Sequence, residues 1–448
     1  MNDTICAIST SPGIGAISIV RVSGPEAINI TNEIVNIDLK SLKSHTINYC
    51  HVIDKENIID EVLLMIMLSP KTYTKEDIIE INCHGGINTT NKILSLLIEH
   101  GARLAEPGEF TKRAFLNGRI DLTQAEAVNE LIVAKTDAAR TLAINQVNGK
   151  INEEIVSLRD KLAKILANIE VNIDYPEYTD ELEVTNKLLT DNLKDIKNSL
   201  KQILKDSENG RIVSNGIKIA IIGKPNVGKS SLLNTLLDEQ KAIVTDVAGT
   251  TRDIVEGSIT LNGVQVDFID TAGIHDTEDV VEKIGVNKSI EVINKADLVI
   301  LVLDGSNILE KEDKDLLELI NNKNNAIVFI NKTDIQNIVN IEKTYDIVIG
   351  NTKSLEAIRP LKEKIISKFS LNKIVNKDMT YISNIRQLSL IKKSLTSIEN
   401  AMSLKESVPV DLIEIDIKNA WNYLGEVIGA NYADELVDTI FSNFCLGK

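Results

Sequence analysis

Residues 223 to 230 read Gly-Lys-Pro-Asn-Val-Gly-Lys-Ser, between a strand-like apolar segment at 217–222 and a helix-like segment at 231–237. A phosphate-binding P-loop requires this order of strand, glycine-rich loop and helix. The glycines let backbone N–H groups close on phosphate, Lys229 can reach the β and γ oxygens, and the Ser230 hydroxyl can bind Mg²⁺. Taken alone, the loop could also be a structural turn. The nucleotide contacts predicted here are Asn226, Val227, Gly228, Lys229, Ser230 and Ser231.

Two later segments continue the motif order of a GTPase: a switch-like segment at 245–253 and Asp-Thr-Ala-Gly at 270–273. Asp270 follows a strand-like run, so its carboxylate can hold Mg²⁺ through water while the Gly273 amide approaches the γ-phosphate. Thr251 lies in the segment that γ-phosphate and Mg²⁺ would order, and we assign it to Mg²⁺ together with Ser230. The further nucleotide contacts predicted are Thr245, Asp246, Val247, Ala248, Gly249, Thr250, Asp270, Thr271, Ala272 and Gly273.

The segment Asn-Lys-Thr-Asp at 331–334 predicts which base is bound. It follows a buried-strand pattern at 326–330, and the Asp334 carboxylate can accept two hydrogen bonds from guanine that adenine cannot donate. A last base contact is expected near 351–353, where Asn-Thr-Lys replaces the Ser-Ala-Lys common in translational GTPases. The base contacts predicted to select GTP over ATP are Asn331, Lys332 and Asp334.

Composition limits the class of protein. The chain has 448 residues, enough for about three domains, and its net charge of −16 argues against non-specific coating of nucleic acid. Its four cysteines lie far apart without metal-ligand spacing, which favours a reduced, cytoplasmic protein. The longest apolar run, at 62–68, is too short to cross a bilayer, and the start of the chain lacks the basic region of a signal peptide.

Hydrophobic periodicity divides the chain into regions. Residues 1–118 mix strand-like runs with a helix-like run and predict an α+β domain. Residues 119–215 and 374–448 carry apolar residues at alternating steps of four and three, which predict long packed helices. Residues 216–373 hold the nucleotide motifs. We therefore expect a multidomain fold: an α+β N-terminal domain, an all-α helical domain and an α/β P-loop GTPase domain inserted into the helical one.

Markers outside the GTPase motifs make the chain resemble the MnmE (TrmE) family of tRNA uridine modification GTPases from end to end. In the first third of the chain they are Val-Arg-Val-Ser-Gly at 20–24, Cys-His-Gly-Gly at 83–86, Pro-Gly-Glu-Phe-Thr at 107–111, Arg-Ala-Phe-Leu-Asn-Gly-Arg at 113–119 and Gln-Ala-Glu-Ala at 124–127. The chain ends in Phe-Cys-Leu-Gly-Lys, where the family usually has Cys-Ile-Gly-Lys, so Leu446 is a conservative departure.

The resemblance implies a homodimer formed through the N-terminal domain, and a partnership with an MnmG-type FAD protein in a heterotetramer that acts on tRNA. Together the two proteins would add a carboxymethylaminomethyl or aminomethyl group to C5 of the wobble uridine. It also implies a one-carbon tetrahydrofolate such as 5-formyl-tetrahydrofolate. The residues that match the family's folate positions are Arg21, Glu80, Arg119 and Lys448, and Arg119 stands where relatives often have Lys.

The resemblance also bears on how GTP is hydrolysed. Small signalling GTPases have Gln after the Asp-x-x-Gly motif, but here Ile274 stands there and cannot orient water. The family match points to Glu282 as the residue that orients the attacking water, acting with Asp270, whereas His275 is interpreted as a switch-surface residue. A potassium ion would take the place of an arginine finger. Its predicted ligands are Asn226, Thr245, Val247 and Thr250, the last three through backbone oxygens.

Alternatives stay open at this point. A ribosome-assembly or signalling GTPase shares the P-loop and Asp-Thr-Ala-Gly motifs but would carry a basic RNA-binding module beside them. A non-hydrolysing scaffold would need a defective switch, and Thr251, Asp270 and Gly273 are all present. A catalytic role for Cys445, the set of tRNAs modified, the coupling of hydrolysis to modification and the choice between glycine and ammonium as amine donor are likewise open.

Overall fold

The computed structural model describes residues 3–174, 182–238, 255–269, 293–321, 325–341, 345–376, 379–403 and 410–448. The chain divides into two compact units. The first comprises Met1–Ile132, Gln146–Lys201 and Ser389–Lys448, and the second comprises Val133–Asn145 and Gln202–Leu388. Each unit contains one six-stranded sheet, and helices accompany both. The multidomain fold class is therefore confirmed, while the four segment boundaries predicted above are finer than this division and stay a prediction.

The first sheet is built from strands with one buried and one solvated face. Its strands are β1 (Ile5–Ile8), β2 (Ile17–Ser23), β3 (Thr46–Asp54), β4 (Asn57–Met67), β5 (Ile78–His84) and β6 (Arg103–Leu104), in the order β3-β4-β5-β2-β1-β6. In β4 the side chains of Val62, Leu64 and Ile66 are buried, while Glu61 and Leu63 on either side of Val62 are exposed. This period of two is the one that the strand-like runs predicted.

The second sheet is mostly parallel, and its central strands are apolar along their length. Its strands are β7 (Ile217–Ile222), β8 (Val255–Leu261), β9 (Val264–Ile269), β10 (Leu298–Asp304), β11 (Ala326–Asn331) and β12 (Ile347–Ile349), in the order β12-β11-β10-β7-β9-β8. Only β8 and β9 pair antiparallel within this described sheet. All residues of β11 are buried, as expected for a strand covered on both faces.

The helices follow the predicted periodicity. In chain order they are α1 (Ala27–Asn32), α2 (Ile87–Glu99), α3 (Glu109–Leu116), α4 (Leu122–Val133), α5 (Asp137–Val147), α6 (Lys150–Asp174), α7 (Leu182–Asn215), α8 (Lys229–Asp238), α9 (Lys311–Asn321), α10 (Leu355–Lys368), α11 (Leu371–Ile374), α12 (Ile385–Ser403), α13 (Val410–Ile428) and α14 (Asp434–Phe441). A short 3-10 turn spans Leu39–Ser41. Ser354 caps α10 by accepting a hydrogen bond from the Ala357 amide at 3.3 Å.

In the first unit, α6 packs along α13 through its apolar stripe. Ile151, Ile155, Leu158 and Leu162 of that stripe are buried, as the steps of four and three predicted. The Arg159 guanidinium of α6 lies over the Trp421 ring of α13 at 4.2 Å.

In the second unit, the carboxyl ends of parallel strands meet at one edge of the sheet. β7 ends there at the P-loop, β10 ends at Asp304 and β11 ends at Asn331. Ligands of open α/β sheets bind outside this edge, in the crevice that the strand ends form. The fold therefore brings together motifs that are about a hundred residues apart in sequence.

Candidate functional site

The P-loop joins β7 to α8 as the sequence predicted. Lys229 is the first residue of α8, and its Nζ donates hydrogen bonds to the carbonyl oxygens of Gly223 and Lys224, each at 2.8 Å. Asn226 adopts a left-handed backbone conformation, with φ of +64°, and is exposed. Ser230 and Ser231 follow in the first turn of the helix and are exposed, so their hydroxyl groups and the helix N-terminus are accessible to a phosphate and its metal ion.

Asn331 connects the motif predicted to read the base to the P-loop. Its side chain is only 1% exposed, and Nδ2 donates a hydrogen bond to the Val227 carbonyl at 2.8 Å. Gly228 must be glycine at this contact, because its φ is +100° and an added Cβ would lie 2.2 Å from Asn331 Nδ2. The Oδ1 atom of Asn331 is buried and makes no hydrogen bond within the part of the chain that the structure describes. Asn331 therefore holds the loop through one side of its carboxamide.

Lys332 is held by a carboxylate that the motif analysis did not indicate. Its Nζ lies 2.7 Å from Asp304 Oδ2 at the end of β10. Burial alone would raise the pKa of Asp304, but hydrogen bonds from Lys332 and Ser306 outweigh it and lower the pKa to about 2. The only sequence signal for Asp304 was its position at the end of a buried strand.

Asp334 lies beside the weakly matching segment at 351–353. Its Oδ2 is 2.6 Å from Lys353 Nζ, and the hydrogen bond from Lys353 holds the pKa of the Asp334 carboxyl below its usual value. Thr333 Oγ1 donates a hydrogen bond to the Gly350 carbonyl at 2.7 Å, which brings the two segments together. Within Asn351–Lys353, the Lys353 amide donates to Asn351 Oδ1 at 3.1 Å. This placement supports Asn-Thr-Lys as the last base-contact segment.

The two switch segments fall outside the residues that the structure describes. Predicted residues that lie outside the described part of the chain are Thr245, Asp246, Val247, Ala248, Gly249, Thr250, Thr251, Asp270, Thr271, Ala272, Gly273, Ile274, His275 and Glu282.

A second group of predicted residues meets in the first unit. Arg21 of β2 and Glu80 of β5 are direct cross-strand partners, with Arg21 Nη2 2.7 Å from Glu80 Oε1. Both side chains are partly exposed. The Arg21 guanidinium also lies 5.4 Å from the centre of the Phe110 ring, a neighbour that the sequence analysis did not single out.

The C-terminal tail docks on the same region. The Gly447 carbonyl accepts hydrogen bonds from Ser9 Oγ at 3.1 Å and from Arg21 Nη1 at 3.3 Å. Gly447 has a φ of +83°, and a Cβ there would lie 2.4 Å from the Ile8 carbonyl oxygen, so the close approach requires glycine. The Phe110 amide donates to the Lys448 carbonyl at 3.1 Å. Arg21, Glu80 and the tail residue Lys448 are thus brought together.

Arg119 lies in a different environment. Its guanidinium stacks on the Tyr73 ring at 4.7 Å. It also lines a shallow cleft of about 440 Å³ with Phe115, Asp121 and Tyr432. Cys445 is exposed, whereas Cys6, Cys50 and Cys83 are buried.

In the ranges that the structure describes, no helix combines the length and the apolar character that a bilayer span requires. No three His, Cys, Asp or Glu side chains in those ranges are grouped so that they could hold a metal ion.

Comparison with known proteins identifies the family. A family model described as the MnmE helical domain matches residues 122–445, and one described as the GTP-binding protein TrmE N-terminus matches residues 4–119. The tRNA modification GTPase MnmE of Staphylococcus haemolyticus (strain JCSC1435) is 48% identical over 458 residues, covering 100% of this chain and 99% of that protein. The chain belongs to the MnmE family.

Other MnmE proteins match over the same span. MnmE of Bacillus subtilis (strain 168) is 48% identical over 459 residues and covers 100% of both chains. MnmE of Staphylococcus aureus (strain Newman) is 47% identical over 458 residues, covering 100% of this chain and 99% of that protein. The family resemblance predicted from the sequence markers is therefore confirmed.

Proposed function

We propose that this MnmE-family chain hydrolyses GTP and, with an MnmG-type flavoprotein, adds a carboxymethylaminomethyl or aminomethyl group to C5 of the wobble uridine of certain tRNAs. The observation that carries the proposal is the end-to-end identity with MnmE proteins whose names describe tRNA modification GTPases. The hydrogen bond that joins the P-loop to the predicted base-reading motif independently supports the binding of GTP. The proposed assembly is a homodimer formed through residues 1–118, with residues 216–373 as a GTPase domain inserted between helical segments at 119–215 and 374–448.

The described residues support the GTP part of this proposal. The hydrogen bond from the buried carboxamide of Asn331 and the close approach at Gly228 fix the loop that follows β7. In this proposal Lys229 exchanges its loop carbonyls for phosphate oxygens, and Asp334 reads guanine. Ser230, Thr251 and Asp270 would hold Mg²⁺, which neutralises charge on the β and γ oxygens.

The wobble nucleosides of the tRNA pool test the proposal as a whole. Deletion of the gene should remove the C5 aminomethyl-type modification from wobble uridines, as measured by mass spectrometry of digested tRNA. Expression of the wild-type chain should restore the modification, whereas a Lys229→Ala variant should not, because the lysine would carry the phosphate interaction. Unaltered nucleosides together with a ribosome-assembly defect would instead favour the alternative assembly GTPase.

Glu282 is the proposed water-positioning residue, and its replacement should slow the chemical step. Glu282→Ala should lower the single-turnover rate of GTP hydrolysis by about 10²-fold, a common size for the loss of a proton-transfer or water-orienting group. Nucleotide affinity should change little, since the carboxylate would contact water and not the nucleotide. His275→Ala serves as the control and should keep near-wild-type hydrolysis. The assignment fails if Glu282→Ala also hydrolyses at the wild-type rate.

A one-carbon site is proposed where Arg21, Glu80 and the tail meet. A bound 5-formyl-tetrahydrofolate or related tetrahydrofolate would supply the carbon unit that is transferred. Glu80 can accept hydrogen bonds from donors along a pterin edge, and Arg21 and Lys448 add the positive charge that the carboxylate tail of such a molecule requires. Arg119, which stacks on the Tyr73 ring, is the fourth residue of the proposed folate-binding set.

Calorimetric titration with 5-formyl-tetrahydrofolate tests this site without measuring activity. The double variant Arg21→Ala, Glu80→Ala should lose measurable binding, because the carboxylate and the guanidinium are both removed. A matched control is the pair Lys92→Ala, Asp54→Ala, since Lys92 and Asp54 form a 2.7 Å ion pair in the same unit. That control should bind like the wild type. Binding that survives the loss of Arg21 and Glu80 would place the ligand elsewhere.

A further inference from the structure

An ion pair anchors the first residues of the P-loop. The side chain of Lys224 is 18% exposed, and its Nζ lies 2.8 Å from Asp313 Oδ2 and 2.7 Å from Glu310 Oε2. The sequence motif assigned no role to the Lys224 side chain. The carbonyl oxygen of the same residue accepts the hydrogen bond from Lys229 Nζ at 2.8 Å. Lys224 therefore connects Lys229 to a neighbouring helix.

The two acidic partners differ in burial. Asp313 lies in the first turn of α9 and is 4% exposed, and its Oδ2 also accepts a hydrogen bond from the Glu310 amide at 2.9 Å. Glu310 lies just before α9, and its side chain is 72% exposed. An exposed ion pair contributes little, whereas a buried carboxylate depends on the charge that balances it. Asp313 is therefore the principal anchor, and Glu310 is a secondary one.

The electrostatics of Lys224 agree with this anchor. Partial burial would lower the pKa of its ammonium group, but the hydrogen bonds to Asp313 and Glu310 outweigh burial and raise it. Lys224 consequently stays charged across the physiological range.

We propose that Lys224 and Asp313 are positioning residues that hold the P-loop in the conformation that receives a nucleotide. The proposal rests on the proposed binding of GTP by this loop. In this arrangement α9 fixes Lys224, and the Lys224 and Gly223 carbonyls hold Lys229 at the start of α8. Loss of the anchor lets the loop sample other conformations, and the apparent affinity falls in proportion to the fraction that can still bind.

The effect should appear in affinity and not in the chemical step. Once a nucleotide is bound, its phosphates hold the loop through Lys229 and the backbone, so the rate at saturating GTP depends little on Lys224. Lys224→Met keeps the length of the side chain and removes its charge. Asp313→Asn keeps the shape of the side chain and an oxygen that accepts the hydrogen bond from the Glu310 amide. It therefore removes the negative charge of the ion pair and keeps that hydrogen bond.

Binding of a fluorescent GDP analogue and steady-state GTP hydrolysis of the full-length chain test the proposal. Lys224→Met and Asp313→Asn should each raise Kd and KM by about tenfold, the change expected if roughly a tenth of the loops stay competent, with kcat within about twofold of wild type. Lys224→Arg should keep Kd, KM and kcat at their wild-type values. The double variant should be no weaker than the weaker single variant, because both changes remove the same contact.

The controls separate this proposal from the proposed function. Glu312→Gln removes the charge of a neighbouring exposed acid of α9, whereas the ion pairs of Lys224 among the described residues are with Asp313 and Glu310, so this variant should leave Kd and KM unchanged. Melting curves should show that each variant is folded at the assay temperature. Wild-type Kd in both Lys224→Met and Asp313→Asn, or a fall in kcat without a rise in KM, overturns the positioning role. A wild-type chain that binds no GDP analogue overturns GTP binding itself.

Discussion

Hydrolysis of GTP by this protein should depend on potassium. Replacing potassium chloride by sodium chloride at equal ionic strength should lower the turnover rate by roughly 10²-fold. An arginine finger contributes on the order of 10³ to 10⁵ in rate to related reactions, and the proposed potassium ion would supply part of that stabilisation here. The measurement is phosphate release at saturating GTP in each salt.

Asn226 is the described residue on which the potassium proposal depends. It is exposed in the P-loop with a φ of +64°, so its carboxamide oxygen is accessible to a cation that would lie beside the phosphates. Its proposed co-ligands Thr245, Val247 and Thr250 would contribute backbone oxygens. Carbonyl and amide oxygens are suitable ligands for such a hard cation, because they replace its hydration shell.

Two replacements of Asn226 distinguish the loss of a cation ligand from strain in the backbone. Asn226→Ala removes the carboxamide but strains a left-handed residue, whereas Asn226→Gly removes it without that strain. Both variants should hydrolyse GTP equally slowly in potassium and in sodium. Asn262→Ala is a matched control, because Asn262 has a φ of +48° in the turn between β8 and β9. A potassium effect that persists in Asn226→Gly contradicts the assignment.

Asp334→Asn should change the base that the protein binds from guanine to xanthine. The carboxylate would accept hydrogen bonds from the two donors of the guanine edge, whereas an asparagine presents a donor in place of one acceptor. Xanthine carries an oxygen where guanine carries its exocyclic amine, so the new donor finds a partner. We expect GTP affinity to fall by at least about tenfold and xanthosine triphosphate affinity to rise. Competition of both nucleotides against a fluorescent guanine nucleotide measures the change.

The surroundings of Asp334 supply the control for this experiment. Lys353 pairs with Asp334 at 2.6 Å and keeps it ionised, so the wild-type carboxylate is an acceptor throughout the neutral range. Asp346→Asn makes the same chemical change in the same unit, at a carboxylate paired with Lys364 and Lys368. It should leave the preference for guanine intact. Unchanged GTP affinity in Asp334→Asn would show that another residue reads the base.

The sequence by itself determined the elements and the family. The strand, loop and helix around the P-loop, the buried strand before Asn331 and the long helix from 150 to 174 follow from periods of two and of three to four. These periods are local, because the direction of each side chain in a helix or strand depends only on its neighbours along the chain. The markers at 20–127 and at the end of the chain likewise sufficed to indicate the MnmE family before any geometry was known.

Only the tertiary structure decided which distant residues meet. The Asn331 side chain donates a hydrogen bond to the Val227 carbonyl, 104 positions away, and the Gly447 carbonyl accepts one from Arg21, 426 positions away. The anchor between Lys224 and Asp313 and the partner of Lys332 at Asp304 are of the same kind. No local period predicts such contacts, because they depend on how the chain packs within each unit. Packing decides which strand ends become neighbours in one unit and where the C-terminal tail lies in the other.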